Sequence, residues 1–160
     1  MERIDKVMMH PIYQDQGKRI EEAEQDRIFC KHGLAHALDV ARILYIMVLE
    51  RNLSFDKEVL YAAALLHDIG RAEQYSRQMS HHEAGASIAR EILADCQFEE
   101  WEISLITNAI MEHQAAGAEA DDSLNTLLYQ ADKLSRNCFC CKAWKECYWE
   151  KEKKNGSIQY

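Results

Sequence analysis

Apolar side chains recur at intervals of three and four residues along most of this chain, which is the period of an amphipathic α-helix. The interval is clear from Leu34 to about Arg51, from Val59 to Leu66 and from Glu99 to His113. No segment has the two-residue alternation of a convincing strand. One proline and six glycines in 160 residues leave few positions that break helices. The pattern predicts an all-α bundle of about six or seven helices around one sizeable core.

The most apolar stretch, 59–66, runs directly into the pair His67-Asp68, and Gly70 follows. We interpret it as a buried helix that ends at Gly70, because glycine is favoured just beyond a helix C-terminus. Polar groups that are buried without partners are costly, so two metal ligands at the end of a core helix require an explanation. A metal ion would supply the partner, and its other ligands should lie elsewhere in the chain.

Three further residues qualify by their position on helix faces. His36 begins the apolar stripe of the 34–51 helix, and His113 ends the stripe of the 99–113 helix. Asp132 follows Leu128 by about one turn of a later helix, on a partly apolar side. Each also has an ordinary interpretation, because inward histidines are often hydrogen-bonded core residues and Asp132 could pair with Lys133 at the surface.

A capping box is predicted where Ser80 precedes Glu83 by three residues. It places His81 and His82 in the first turn of a helix that runs to about Asp95. The positive end of a helix disfavours an imidazolium, which keeps a histidine neutral and able to bind a metal. We take His82 as a candidate ligand and His81 as an ordinary surface residue.

In chain order, these residues resemble the motif of the HD-domain superfamily of metal-dependent phosphohydrolases. The resemblance covers roughly residues 28–136. It implies four ligands for a divalent transition metal such as Mn, Fe, Co, Ni or Zn. The matching segments are His36-Ala-Leu-Asp-Val-Ala, Leu65-Leu66-His67-Asp68-Ile-Gly and Ala131-Asp132-Lys133-Leu134.

The resemblance also implies a reaction, in which metal-activated water hydrolyses a phosphomonoester or phosphodiester of a small molecule such as a nucleotide. Asp68 would bind the metal and orient the nucleophile. Lys133 and Arg71 are candidates to contact a phosphate, and a solvated lysine is the alternative for Lys133. A metal- or redox-sensing binding module without fast turnover is the competing function.

Some HD proteins hold a second metal through extra histidines between the His-Asp pair and the last aspartate. His82 and His113 occur in that order, and Asp68 would then bridge the two ions. Gln114 follows His113 where such members often have two adjacent histidines. The sequence therefore leaves one metal or two open.

Four cysteines form a second candidate site. Cys138, Cys141 and Cys147 have Cys-x2-Cys-x5-Cys spacing, while Cys30 lies six residues before His36 and Cys138 six residues after Asp132. If these two helices run antiparallel past one metal, both cysteines lie about 9 Å from it on the same side. Four thiolates could hold Zn²⁺ or an iron–sulfur cluster, and buried free thiols are the alternative.

Composition limits the expected binding partners and the expected cellular compartment. The net charge of −8 argues against a broad nucleic-acid surface, although it permits a single nucleotide held through a metal. No signal peptide or membrane segment is predicted, so we expect a cytoplasmic protein whose cysteines are not disulfide-bonded.

The expected organisation is an N-terminal helical extension (1–27), an HD domain (28–136) and a cysteine-rich tail (137–160) packed on it, frayed after Lys151. The substrate and the oligomeric state stay open, and tail aromatics are candidates for a homodimer contact.

Overall fold

The computed structural model describes residues 1–77, 79–112 and 121–160. Eight α-helices, two short 3-10 turns and no strand occur in these ranges, which confirms the predicted all-α class. None of these helices is both long enough and apolar enough to cross a membrane. The helices are α1 (Glu2–Met9), α2 (Pro11–Ala23), α3 (Leu34–Glu50), α4 (Lys57–Leu66), α5 (Arg71–Arg77), α6 (His81–Asp95), α7 (Glu100–Glu112) and α8 (Leu124–Leu134).

Helix α4 is the centre of the bundle and packs against α3, α7 and α8. From Val59 to Leu66, every residue other than Tyr61 is at most 3% exposed. Three consecutive alanines, Ala62 to Ala64, allow the neighbouring helices to approach closely. The buried stretch continues into the two residues that follow α4, His67 and Asp68.

Local signals explain where the helices begin. Pro11 starts α2 and separates it from α1, as expected of a residue that fits only the first helical turn. Asp56 caps α4 by accepting hydrogen bonds from the backbone N–H groups of Glu58 (2.8 Å) and Val59 (3.3 Å). Ser80 lies at the N-cap of α6 as predicted, but its side chain makes no capping hydrogen bond to the described residues.

Gly70 has a different role from the one that the sequence indicated. Helix α4 ends at Leu66, and residues 67–70 form a turn into α5. The backbone of Gly70 is not in the left-handed conformation that a C-terminal glycine cap requires. It lies instead against the first turn of α6, beside Gly85, where a side chain has no room.

The tail is anchored to the end of α8. The Asn155 side-chain amide donates to the carbonyl oxygens of Lys133 and Arg136, both at 2.8 Å, and to that of Leu134 at 3.2 Å. The Lys154 ammonium donates to the Trp144 carbonyl at 2.7 Å. The prediction of fraying after Lys151 is therefore wrong for Lys154 and Asn155, because their side chains bond the chain end to α8 and to the preceding turn.

Candidate metal centre

Three of the predicted ligands meet in the middle of the bundle. His36 comes from the first turn of α3, His67 follows α4, and Asp132 comes from the last turn of α8. Each offers one ligand atom, and these atoms all lie within 4.8 Å of one another. Side chains from three separate helices thus converge on one point, as a metal site requires.

Asp68 adjoins this group. Its Oδ2 lies 3.1 Å from His67 Nε2 and 3.6 Å from His36 Nε2. Its Oδ1 accepts a hydrogen bond from Arg71 Nε at 2.8 Å. One oxygen of Asp68 therefore faces the centre, and Arg71 holds the other.

Outer hydrogen bonds orient the two imidazoles. His67 Nδ1 lies 2.7 Å from the Ala64 carbonyl oxygen, which can only accept, so in the neutral ring Nδ1 carries the proton and Nε2 offers its lone pair. The Ser135 hydroxyl donates to the Asp132 carbonyl oxygen at 2.8 Å. Its oxygen is then free to accept from His36 Nδ1 at 3.3 Å. Such partners fix the tautomer that presents Nε2 to a metal.

The charges at the centre are strongly coupled. Burial acts to lower the pKa of His36, but the carboxylates of Asp132 and Asp68 outweigh it and raise that pKa to about 9. Burial acts to raise the pKa of Asp132, but His36, His67 and Lys133 hold it well below its usual range. The pKa of Asp68 is likewise far below its usual range, because His67, His36 and Arg71 outweigh its burial.

This donor set fits a divalent transition metal. His36 Nε2 is buried, makes no hydrogen bond to the described residues, and lies 3.4 Å from Asp132 Oδ1. When both imidazoles are neutral, nitrogen lone pairs and carboxylate oxygens face one another and repel. A cation among them converts that repulsion into attraction. Two nitrogens and carboxylate oxygens are ligands that Mn, Fe, Co, Ni and Zn accept.

The family model for the HD domain matches residues 33–137. The chain belongs to the HD-domain family. We refer to His36, His67, Asp68 and Asp132 as the HD site from here on.

Relatives extend this result. A protein of Clostridium beijerinckii described as uncharacterized is 42% identical over 160 residues, which cover the whole of both chains. Ribonuclease Y of Enterococcus faecalis is 29% identical over 130 residues, covering 81% of this chain and 23% of the relative. Ribonuclease Y of Acetivibrio thermocellus is 33% identical over 102 residues, covering 64% and 17%. The chain spans less than a quarter of these ribonucleases, and no solved structure matches it significantly.

The histidine beside the HD site from α6 is His81 rather than His82. His81 is only 5% exposed, and its Nε2 lies 4.0 Å from Asp68 Oδ1. The ring of His82 is half-buried, with Nδ1 3.2 Å from the Ile110 carbonyl oxygen. The other candidate for a second metal, His113, lies outside the described residues.

The sequence carries only a partial signal for His81. Gly85 lies four residues after it on the same face of α6, but the small residue Ala86 stands in the same relation to His82. Since Gly85 packs against Gly70, that face of the helix turns toward the residues that follow α4.

A cavity of about 290 Å³, which we call the entrance cavity, opens in front of the HD site. Besides the HD-site residues His36 and Asp132, its wall combines positive charge with aromatic surface. Its basic residues are Arg27, Arg71, Lys133 and Arg136, its aromatic residues are Phe29, Tyr129, Tyr148 and Trp149, and it also contains His32, Cys30 and Cys147.

The two predicted phosphate contacts line this cavity, and each also bonds an HD-site carboxylate. Lys133 Nζ lies 2.6 Å from Asp132 Oδ2 and 5.0 Å from the centre of the Tyr129 ring. Arg71 bonds Asp68 through Nε and reaches Gln74 through Nη1 at 3.4 Å. Lys133 is therefore not a freely solvated lysine, because it bridges a ligand and an aromatic ring.

Sequence reasoning missed the carboxylate that positions His32. Glu24 is buried and accepts hydrogen bonds from the backbone N–H of His32 at 2.7 Å, from its ring and from the Tyr75 hydroxyl. Burial acts to raise the pKa of Glu24, but His32 and Tyr75 outweigh it and lower that pKa to about 2. The His32 ring is held 5.8 Å from that of His36, on the wall of the entrance cavity.

A second cavity, of about 370 Å³, adjoins the first, and we call it the cysteine cavity. All of the cysteines are free thiols. Cys30 and Cys147 line both cavities, as do His36, Arg136 and Trp149. The cysteines on the wall of the cysteine cavity are Cys30, Cys138, Cys140, Cys141 and Cys147.

Proposed function

We propose that this HD-domain protein is a metal-dependent phosphohydrolase that acts on a phosphomonoester or phosphodiester of a small molecule such as a nucleotide. One observation carries the proposal: the HD site opens into a cavity whose wall is both basic and aromatic. Relatives named ribonuclease Y support a reaction at a phosphoester.

The HD-site residues have two roles, which are to bind the metal and to orient the attacking water. His36, His67 and Asp132 would hold the metal through atoms that already lie together. A divalent metal bound there supplies Lewis-acid stabilisation of the phosphoryl group and activation of water. Asp68, fixed by Arg71 at one oxygen, presents the other to the centre, where it can accept a hydrogen bond from the attacking water and orient it.

The entrance cavity accounts for recognition of the substrate. Arg71 and Lys133 can donate charge-assisted hydrogen bonds to phosphate oxygens. The rings of Tyr129 and Trp149 offer flat apolar surfaces on which a nucleobase can stack. A volume of about 290 Å³ suits a small ligand. The net charge of −8 disfavours a long polyanion.

A phosphatase screen on metal-loaded protein tests the proposal. The full chain is loaded in turn with Mn, Fe, Co, Ni and Zn and assayed for phosphate release from nucleotides, sugar phosphates and phosphodiesters. Asp68→Ala should abolish turnover with the fold intact by circular dichroism. The matched control is Asp95→Ala, which removes an aspartate at the exposed end of α6.

The screen also distinguishes a phosphohydrolase from the competing function, a metal- or redox-sensing binding module. Absence of turnover on every phosphoester with every metal, together with redox-dependent binding of a partner, contradicts the enzyme and favours a sensing module.

A further inference from the structure

We propose that the cysteine cavity holds an iron–sulfur cluster bound by the thiolates of Cys30, Cys138, Cys141 and Cys147. We call these four residues the cysteine quartet. The site is separate from the HD site, and the inference does not depend on phosphohydrolase activity.

Successive tight turns bring the three tail cysteines to one cavity. The backbone N–H of Cys141 donates to the Cys138 carbonyl at 3.1 Å, and that of Trp144 donates to the Cys141 carbonyl at 3.2 Å. The backbone N–H of Cys147 then donates to the Ala143 carbonyl at 2.9 Å. These turns fold the Cys-x2-Cys-x5-Cys segment compactly, so that all three cysteines lie on the cavity wall.

Cys30 reaches the same cavity from the other end of the chain, and separate contacts hold it there. Arg27 Nε donates to the Cys30 carbonyl oxygen at 2.8 Å. The ring of Phe29 meets that of Tyr148 edge to face, with 6.0 Å between centroids. The residues beside Cys30 and Cys147 are therefore packed together, which brings the fourth thiol to the tail.

The thiols are close enough to interact. Burial raises the pKa of Cys30, and the nearby Cys138, Cys141 and Cys147 raise it further, while Arg136 opposes them. The neighbouring cysteines thus disfavour a thiolate at Cys30. An iron–sulfur cluster removes that repulsion by binding all four sulfurs, with release of the thiol protons.

The size of the site favours a cluster over a single zinc ion. Zinc binds four sulfurs at about 2.3 Å each, which draws the sulfurs to about 4 Å from one another. Within the described residues, three or more ligand atoms gather within 4.8 Å of one another at the HD site and not at the quartet. A cavity of about 370 Å³ has room for a cofactor with several irons.

Arg136 gives an independent indication of an anionic occupant. Its side chain is 9% exposed and lines the cysteine cavity. Its Nε donates to the Lys133 carbonyl at 3.3 Å and its Cζ lies 4.8 Å from the centre of the Trp149 ring, but its Nη1 makes no hydrogen bond to the described residues. A buried cation without a full set of partners is costly. A cluster held by four thiolates carries net negative charge and would supply the missing partner.

The test is chemical and does not use turnover. Full-length protein purified without oxygen, or reconstituted anaerobically with Fe³⁺, dithiothreitol as the reductant and sulfide, should contain about four acid-labile sulfides per chain and about four irons beyond any iron at the HD site, with broad absorbance at about 400 nm. Reduction with dithionite should bleach that band and give an electron paramagnetic resonance signal. Colourless protein with one zinc per chain, or with no metal at the thiols, overturns the proposal.

Variants identify the ligands. Cys30→Ala and Cys141→Ala should each lose most of the iron and sulfide, while Cys96→Ala, a buried cysteine outside the cavity, should keep them. Cys140→Ala is the local control, because it lines the cavity without belonging to the quartet. Circular dichroism and metal content at the HD site show that each variant folds. Iron retained in Cys30→Ala but lost in Cys140→Ala contradicts the assignment.

Discussion

Gly70 and Gly85 lie against each other where the turn after α4 meets α6. A Cβ at residue 70 would stand 2.5 Å from the Gly85 nitrogen and would also overlap the His81 carbonyl oxygen. Atoms of real side chains do not approach a backbone so closely, so this contact requires glycine. It sets the distance between the His67-Asp68 pair of the HD site, which begins three residues before Gly70, and His81, the first residue of α6.

Gly70→Ala should therefore be strongly destabilising, by about 3 kcal/mol, because backbone rather than a flexible side chain must move. Urea unfolding measures the loss. Gly17→Ala is the matched control: nothing lies within 4 Å of the added methyl, and the site is inside α2. Alanine there should stabilise the protein by about 0.5–1 kcal/mol, since it is the better helix former. Equal effects at the two sites would contradict this account.

Replacement of a proposed ligand should remove the metal. His67→Ala should weaken metal binding by about 100-fold, since the contact of Nδ1 with the Ala64 carbonyl orients this buried ring so that Nε2 faces the metal. Metal content after gel filtration and the metal-induced rise in Tm report the loss. His10→Ala is the control, because His10 pairs with Asp95 and does not belong to the HD site. This variant should keep the metal content and the metal-induced rise in Tm.

Stability of the metal-free protein should fall with rising pH. The pKa of His36 is about 9 in the folded protein against 6.5 ordinarily. Its stabilising charge is fully present below pH 6.5 and is lost as pH rises through 9. The loss should reach about 3 kcal/mol, and urea unfolding of chelator-treated protein measures it. Metal takes the place of the proton, so loaded protein should lack this slope, as should His36→Gln.

Lys133 should contribute to substrate binding. Lys133→Met should raise KM for a phosphorylated substrate by about tenfold, because one charge-assisted contact to phosphate is lost, with a smaller effect on kcat. Lys57→Met is the matched control, since Lys57 also lies over tyrosine rings but does not line either cavity. A KM that is unchanged in Lys133→Met would show that Lys133 only supports Asp132.

Alanine substitution of the two adjacent histidines of α6 should have different effects on kcat. His81→Ala should lower kcat by about tenfold or more, because His81 lies beside Asp68. His82→Ala should stay within about threefold of the parent, since its ring lies at the carbonyl of Ile110. Steady-state kinetics with a substrate from the screen compare them. A larger effect from His82 would reverse the assignment made from the geometry.

The sequence predicted the parts of the site that follow from helical periodicity. His36, the His67-Asp68 pair and Asp132 fall on inward faces, so their convergence could be anticipated from the pattern and the family motif. His81 was misjudged because a capping pattern places two residues in a first turn without showing which one faces inward. Glu24 and Arg136 gave no periodic signal, because their roles depend on how loops and the tail fold back on the bundle.

The tail could be predicted only in part. Equal spacing of Cys30 and Cys138 from His36 and Asp132 indicated that the thiols would meet, and they share one cavity wall. Asn155 donates hydrogen bonds to three carbonyl oxygens at the end of α8. These contacts could not be predicted, because a single asparagine in a charged segment forms no recognisable sequence pattern.

Cys30 and Cys147 form part of the wall of both cavities. His36 belongs to the same two walls, so a change at those sulfurs alters the surface against which a substrate would rest and lies beside one HD-site ligand. If the quartet holds a cluster, its loss should therefore change how a substrate binds in the entrance cavity as well as the colour of the protein.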